Sequence, residues 1–446
     1  MTPALPRLGK LFKVRREEAV PLLLAGLFFF FVLTALMVLR PARDALGMQR
    51  GIEAVRWLFL FTALVTLLVN PVFGWMVSRM RRSRFIAASY LFFAASLVGF
   101  YLLLSLAPTA IGDVSGQVFY VWFSVFNLFA TMVFWALMAD CFSLEQSKRL
   151  FGLIAIGGTL GAIFGPWLAS VLAAPLGTPS LLLVSAGFLM LALLTAWAVT
   201  HHHSDDSPGQ TADSRDESAL IGGGAWEGLK AVFRSRYLLG IAGYVIAMAI
   251  VATLLYFTRL QMVASLGDDV DMRTSMFARI DLYTQIATLL LQALIAGRVM
   301  KRFGVAITLM LLPLTVALGF IGLAMVSTLA MLIVFEAAFR AIQRALTRPA
   351  RETLYTVVSR EDKYKSKAFI DTFGYRGGDV IGAQLEGILG RIGLGIAGLT
   401  AVALPIALLW AALGLWLGRE QQRIAARASP EDTAIQHPPL DTRSQQ

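Results

Sequence analysis

Apolar runs of roughly 20 residues, the length a helix needs to cross a bilayer, recur near 19–39, 55–78, 85–106, 116–138, 152–173 and 180–199. They resume near 237–260, 276–298, 304–325, 327–347, 366–390 and 392–417. The pattern predicts an all-α membrane protein of about twelve transmembrane helices in two six-helix bundles. Residues 1–18 are read as a short N-terminal segment, 19–199 as the first bundle and 200–236 as a linker; 237–417 is then the second bundle and 418–446 a disordered tail. The linker carries Asp205, Asp206, Asp213, Asp216 and Glu217 among Ser, Pro and Gly, a composition that buries little.

Composition agrees with a chain whose main solvent is lipid: 57% of residues are hydrophobic, 15% are charged, and the mean hydropathy is +0.69. The formal net charge is +11, but the aromatic residues sit in apolar runs instead of interleaving with the cations, which argues against a nucleic-acid partner. The cations carry topology instead. Arg79, Arg81, Arg82 and Arg84 crowd the loop after the second span, and Arg348, Arg351, Arg360, Lys363, Lys365 and Lys367 that after the tenth. This places both termini in the cytoplasm of a bacterial inner-membrane protein. The run that follows Lys10, Lys13, Arg15 and Arg16 exceeds a signal-peptide core and ends in Arg40 without a small-residue cleavage site, so it is read as the retained first span. One cysteine, Cys141, excludes an intrachain disulfide.

Catalytic signatures are missing from the sequence. The four histidines, His201, His202, His203 and His437, all fall outside the predicted spans, and no metal-ligand spacing accompanies them. No phosphate-binding loop of the Gly-x-x-x-x-Gly-Lys-Ser type occurs. An enzyme, a resident metal or cofactor, and ATP-driven pumping are therefore not expected.

The two halves repeat. Gly74-Trp75-Met76-Val77-Ser78-Arg79 after the second span is matched by Gly297-Arg298-Val299-Met300-Lys301-Arg302 after the eighth, so Gly74, Arg79, Gly297 and Arg302 form a loop motif present in both halves. Gly157, Gly161 and Gly165 in the fifth span match Gly374, Gly378 and Gly382 in the eleventh, with Glu145 and Lys148 preceding one series and Asp362 and Lys365 the other, all at an offset of 217. Glycines four apart share a helix face and admit a neighbouring backbone, so the fifth and eleventh spans are predicted interface helices.

Twelve spans as six plus six, a central linker and the Gly-x-x-x-polar-Arg loops resemble the major facilitator superfamily. Within it, the chain resembles the ATP/ADP translocase-like nucleotide carriers and their relatives in free-living bacteria. Leu39-Arg40-Pro41-Ala42-Arg43-Asp44 looks like the carriers' Arg-x-x-Lys-Asp segment. Phe134-Trp135 with Glu145, Lys148, Arg149 and Phe151-Gly152 looks like their fourth-span exit, and Lys363-Tyr364-Lys365-Ser366-Lys367-Ala368-Phe369-Ile370-Asp371 like the start of their eleventh span. The resemblance implies alternating access about a midplane site.

Ionisable residues inside spans are costly and mark pathways. Glu336, Arg340 and Arg344 lie four apart on one face of the tenth span, and Arg40, Arg43 and Asp44 close the first. With Lys367 and Arg376 these are the candidate anion ligands; Trp122, Phe126 and Asn127 of the fourth span are the candidate wall that stacks a flat ring. Asp281 and Asp371 are the candidate proton-coupling carboxylates. The expected function is secondary transport of an organic anion, a nucleotide or another phosphorylated or anionic metabolite, by symport or exchange. The alternatives are a carrier of siderophores or muropeptides and a non-transporting sensor or assembly partner. The expected partners are a small anionic substrate and membrane lipid, and the expected state is a monomer.

Overall fold

The computed structural model describes residues 15–79, 82–106, 109–205, 225–295 and 299–436, and those residues are helical with no strand among them. The helices are α1 (Ala19–Gly47), α2 (Ile52–Arg79), α3 (Arg82–Leu106), α4 (Thr109–Cys141), α5 (Leu144–Leu176) and α6 (Ser180–Asp205). After a short α7 (Ala225–Arg234) come α8 (Arg236–Ala264), α9 (Val270–Ile295), α10 (Val299–Met325), α11 (Leu329–Ile342), α12 (Arg348–Leu354), α13 (Arg360–Phe369), α14 (Tyr375–Arg391) and α15 (Ile396–Gln436). Two π-helical turns interrupt the series, Gln343–Thr347 between α11 and α12 and Ile370–Gly374 between α13 and α14.

Nine of the described helices are long and apolar enough to cross a membrane. The expected eighth, tenth and eleventh spans are helical but fall outside that set: the eighth, α9, carries Arg279 and Asp281 among its polar residues, whereas the π-turns leave α11 and α14 only 14 and 17 residues long. Large apolar side chains such as Phe92, Trp197 and Leu409 point outward at 63, 65 and 73% exposure, as lipid-facing surfaces do.

The chain divides into two compact units, 1–217 with 258–286, and 218–257 with 287–446. Thr258–Ile286, assigned by the sequence to the second bundle, groups with the first unit. Polar contacts explain why. The Thr178 N–H donates to Asp271 Oδ1 at 2.6 Å, the hydroxyls of Thr178 and Thr274 are 2.8 Å apart, and Arg259 bonds the carboxylates of Asp44 and Asp281.

In the first unit α1 packs against α4, α5 and α6, around a core that stacks Phe29 on Phe134 with ring centroids 4.1 Å apart. Gly157, Gly161 and Gly165 let α5 lie against the backbone of α1: a Cβ at Gly165 would stand 2.9 Å from the Thr34 carbonyl oxygen, and Gly157 meets the Gly26 carbonyl. The second unit repeats the device: a Cβ at Gly378 would meet Ile246 and Ala249, and one at Gly382 would stand 2.9 Å from the Ile250 carbonyl oxygen. Both predicted interface helices are thus found in that role.

Two boundaries differ from the sequence reading. The expected linker begins inside α6, which runs to Asp205 and stacks His201 on Trp197, and it ends in α7, where Trp226, Leu229, Val232 and Phe233 recur at helical spacing. The expected disordered tail is helical to Gln436, because Arg419-Glu420-Gln421-Gln422-Arg423 are strong helix formers. There, Glu420 pairs with Arg423 at 3.3 Å and Gln421 donates to the Thr353 carbonyl at 3.4 Å. The rest of the linker, residues 206–224, and residues 437–446 lie outside the described residues.

Candidate functional site

The second unit holds a cavity of about 410 Å³ lined by three guanidinium groups, Arg344, Arg348 and Arg351, and one carboxylate, Asp371. Its walls come from the two π-turns and the helices that continue from them. Gln343, Arg344 and Thr347 belong to the first turn, Asp371 to the second, Arg348 and Arg351 to α12, and Tyr375 opens α14. A π-turn carries one residue more than an α-turn and re-aims the side chains beside it, which is why such turns gather at functional sites. Met248 of α8 closes the cavity and accepts from Gln343 Nε2 at 3.4 Å.

Asp371 is 36% exposed and meets Arg351 Nη2 at 3.2 Å, while Arg351 Nε is buried without a hydrogen-bond partner among the described residues. The lining therefore carries two more positive than negative charges. Behind it the buried Tyr355 phenol is held un-ionised, its pKa pushed up by burial and then by the charge of Asp371. Such a lining offers forked, charge-assisted donors to carboxylate or phosphate oxygens.

Other expected ligands are engaged elsewhere. Arg340 donates to Glu336 Oε2 at 2.7 Å, so that pair is neutral by itself and only Arg344 of the three-residue face reaches the cavity. Lys367 binds Glu352 at 2.6 Å and lies over the Tyr355 ring, and Arg376 meets Asp379 at 3.4 Å. In the first unit Trp122 and Phe126 stack on each other at 5.2 Å inside a ring of Phe93, Phe100 and Phe119. Phe126 is fully buried, so these rings are spent on the core; Asn127 is exposed. In the loop motif, Gly74 lies within α2, Arg79 ends it exposed, Arg302 is exposed over the Phe303 ring, and Gly297 lies outside the described residues.

Arg40, Arg43 and Asp44 form a second charged cluster, in the first unit, with α1 continuing through Pro41 to Gly47. Arg43 Nε donates to Asp44 Oδ1 at 2.8 Å and its guanidinium lies 4.6 Å from the Tyr120 ring centre. Asp44 also binds Arg259, which donates from Nη1 to Asp281 at 2.8 Å; Arg40 Nε approaches Asp281 at 3.6 Å. Asp44, Arg259 and Asp281 are all buried. By sequence alone Arg259 reads as a loop cation. Its one signal is the position, a single charge inside Leu254-Leu255-Tyr256-Phe257-Thr258-Arg259-Leu260.

Long apolar helices, outward-facing apolar side chains and charge gathered in buried clusters are the build of a multi-pass membrane transporter. The chain belongs to the Major Facilitator Superfamily, whose family model matches residues 22–278. It is similar over nearly its full length to ADP,ATP carrier protein 2 of Chlamydia trachomatis serovar D, 23% identical over 92% of this chain and 90% of that protein. ADP,ATP carrier protein 1 of the same organism is also 23% identical, over 95% and 94%. Among solved structures, a bacterial homologue of the human lysosomal transporter Spinster aligns with a TM-score of 0.61 at 13% identity, covering 92% of this chain and 99% of that one. A bacterial homologue of the iron transporter ferroportin aligns at 0.63 and 11% identity, covering 91% and 100%. A nucleoside transporter aligns at 0.57 and 14%, covering 91% and 99%. These likenesses show the fold.

Proposed function

We propose that this protein is a secondary carrier of an organic anion bearing phosphate or clustered carboxylate, bound in the second-unit cavity. One observation carries the reading: Arg344, Arg348 and Arg351 converge on a single space of about 410 Å³ against one carboxylate. A substrate with two negative charges would neutralise that excess, and the volume suits a small metabolite. The similarity to ADP,ATP carrier proteins makes nucleoside phosphates the first compounds to try. Asp371, already paired with Arg351, is the carboxylate an incoming anion must displace, and with Asp281 it is our assignment for coupling. Transport is driven by a gradient or by exchange across a bacterial inner membrane.

The test is thermal stability of the detergent-purified protein with nucleotides, sugar phosphates, siderophores and muropeptides, since a ligand that binds only the native state raises its midpoint. A rise with phosphorylated compounds in the wild type that is lost in Arg351→Gln supports the reading. No response to any phosphate, or an undiminished response in Arg351→Gln, overturns it.

A further inference from the structure

Asp379 of α14 stands in the glycine interface of the second unit, and the matching interface of the first unit has no charge there. Gly161 meets the Phe30 carbonyl as Gly378 meets that of Ile246. A Cβ at Gly165 would lie 2.7 Å from the Met37 Cβ, and one at Gly382 2.9 Å from the Thr253 Cβ. In this register Asp379 corresponds to Ala162 and Thr253 to Met37. The first unit therefore brings its two helices to backbone contact with an alanine and a methionine in these places, so packing does not call for a carboxylate. An ionisable group within a span is costly, and one that packing does not require marks a function.

The setting of Asp379 suits a proton. Its side chain is 13% exposed; the Thr253 hydroxyl donates to Oδ1 at 3.2 Å, and Arg376 Nη1 stands 3.4 Å from Oδ2. Both contacts are long beside the about 2.7–2.9 Å of a charge-assisted bond. Glu336 and Asp281, by contrast, hold guanidinium donors at 2.7 and 2.8 Å. Arg376 is 34% exposed, so it has room to turn away when its pair opens. A metal ion would be repelled by that guanidinium and would find one carboxylate and one hydroxyl, fewer oxygens than a cation cage uses. A proton needs the carboxylate alone. Among the described residues the charged or titratable groups that reach Asp379 are Arg376 and the Tyr375 phenol. Between Arg236 and Arg259 α8 carries no charge, and α15 carries none before Arg419. Access is from the cavity: Tyr375 lines it, and Asp379 follows one turn on along the same face, opposite the exposed Ile381 and Ile388.

We propose that Asp379 is the proton-binding carboxyl of this carrier. A hydronium ion in the cavity gives its proton to Oδ1 and leaves as water. The new O–H donates to the Thr253 hydroxyl oxygen, Oδ2 becomes a carbonyl oxygen, and Arg376 is released. The inference rests on the carrier reading above, in which Asp371 and Asp281 act through their ion pairs while Asp379 holds the proton itself. Loading removes one negative charge a single helical turn from the anion cavity, so proton and anion favour each other's binding and travel together.

The experiment takes infrared difference spectra of the full chain in lipid, without substrate, between about pH 8 and about pH 5, and follows the C=O stretch of protonated carboxyl groups. The wild type is expected to gain a band that Asp379→Asn lacks. Asp379→Ala, which copies Ala162 of the first unit, is expected to lack it too, and Asp371→Asn to keep it. Thr253→Val is expected to shift the band to higher frequency, because the acid loses its hydrogen-bond acceptor, and Arg376→Gln to bring it in at higher pH, because the opposing cation is gone. No such band in the wild type, or one that survives both Asp379 variants, overturns the site, as does a band lost in Asp371→Asn instead. The thermal-shift test of the cavity is read separately. A band at Asp379 with no response to any phosphate sinks the anion reading and keeps the proton site; a phosphate response with no band sinks the proton site alone.

Discussion

Arg259 lies between two carboxylates, donating from Nη1 to Asp281 at 2.8 Å and from Nη2 to Asp44, with all three side chains at most 1% exposed. A guanidinium suits this place because its planar fork serves two acceptors at once, which a lysine ammonium does with poorer geometry. Removing one partner from a buried ion cluster leaves uncompensated charge, at about 3–5 kcal/mol. Arg259→Leu is therefore expected to lower the unfolding midpoint in detergent severely. Adding Asp281→Asn to Arg259→Leu is expected to recover a large part of the loss, since one orphaned charge goes with it. A double variant no more stable than the single one would mean that Arg259 acts through packing against Phe277, whose ring centre is 5.2 Å away.

The Arg351–Asp371 pair makes a different prediction, because here a carboxylate competes with the substrate for a guanidinium. Asp371→Asn removes the competitor and raises the excess positive charge of the lining. Its dissociation constant for an anionic ligand is expected to fall about tenfold, corresponding to about 1.4 kcal/mol. Isothermal titration of the two proteins with one nucleotide checks this. Counterflow in proteoliposomes is expected to slow in the same variant, as the carboxylate that helps expel the anion is gone. Weaker binding by Asp371→Asn would show that Asp371 orients Arg351 instead of competing for it.

The spans and both glycine interfaces are legible in the sequence, because each rests on a periodicity written directly in residue types. The cavity is only half legible. Arg344 and Asp371 stand out as intramembrane charges, whereas Arg348 and Arg351 read as loop cations. They reach the cavity because a π-turn at 343–347 carries the helix onward and re-aims the following turn, and no residue pattern announces such a turn. The second π-turn does leave a trace. The helix caps Ser143 and Ser359 are 216 positions apart, yet the glycines they precede are 217 apart, and the extra residue sits at 370–374. The pairing of Glu145 with Asp362 read from the sequence is therefore off by one: Asp362 is the counterpart of Gln146. Arg259 stays hidden because its partners lie 215 and 22 residues away.

Close backbone approach at the glycines gives a third prediction. A methyl group at Gly378 would lie 2.8 Å from the Ile246 carbonyl oxygen, and one at Gly382 2.9 Å from that of Ile250, so the helices must separate to admit it. Gly377 has open space at the same position. Gly378→Ala is expected to cost about 1–3 kcal/mol by overpacking, offset in small part by the better helix propensity of alanine. Gly377→Ala is expected to be neutral or slightly stabilising. Thermal midpoints of the two variants, measured side by side, decide it, and equal values would mean that α8 and α14 are not held at backbone contact.

Glu18 supplies the pH dependence. Burial raises the cost of its charge, but the hydrogen bonds from Arg149, the Arg15 N–H and Gln146 outweigh that cost and hold its carboxyl below the ordinary 4.5. A carboxyl lowered by folding binds its proton more tightly in the unfolded chain. Its contribution is therefore complete above pH 4.5 and is lost as pH falls below that value through the folded pKa. Glu18→Gln keeps the shape and removes the charge, and it is expected to cost about 1–2 kcal/mol at pH 7, the worth of charge-assisted bonds in a partly buried setting. The gap between wild type and variant should close as the medium is taken from pH 5 towards pH 3, while other carboxylates lower both midpoints together. Taking the difference between the two proteins at each pH cancels that shared loss. A gap that stays constant across the titration would mean that Arg149 is held by shape and neutral hydrogen bonds alone, and that the lock at the start of α1 owes nothing to the charge of Glu18.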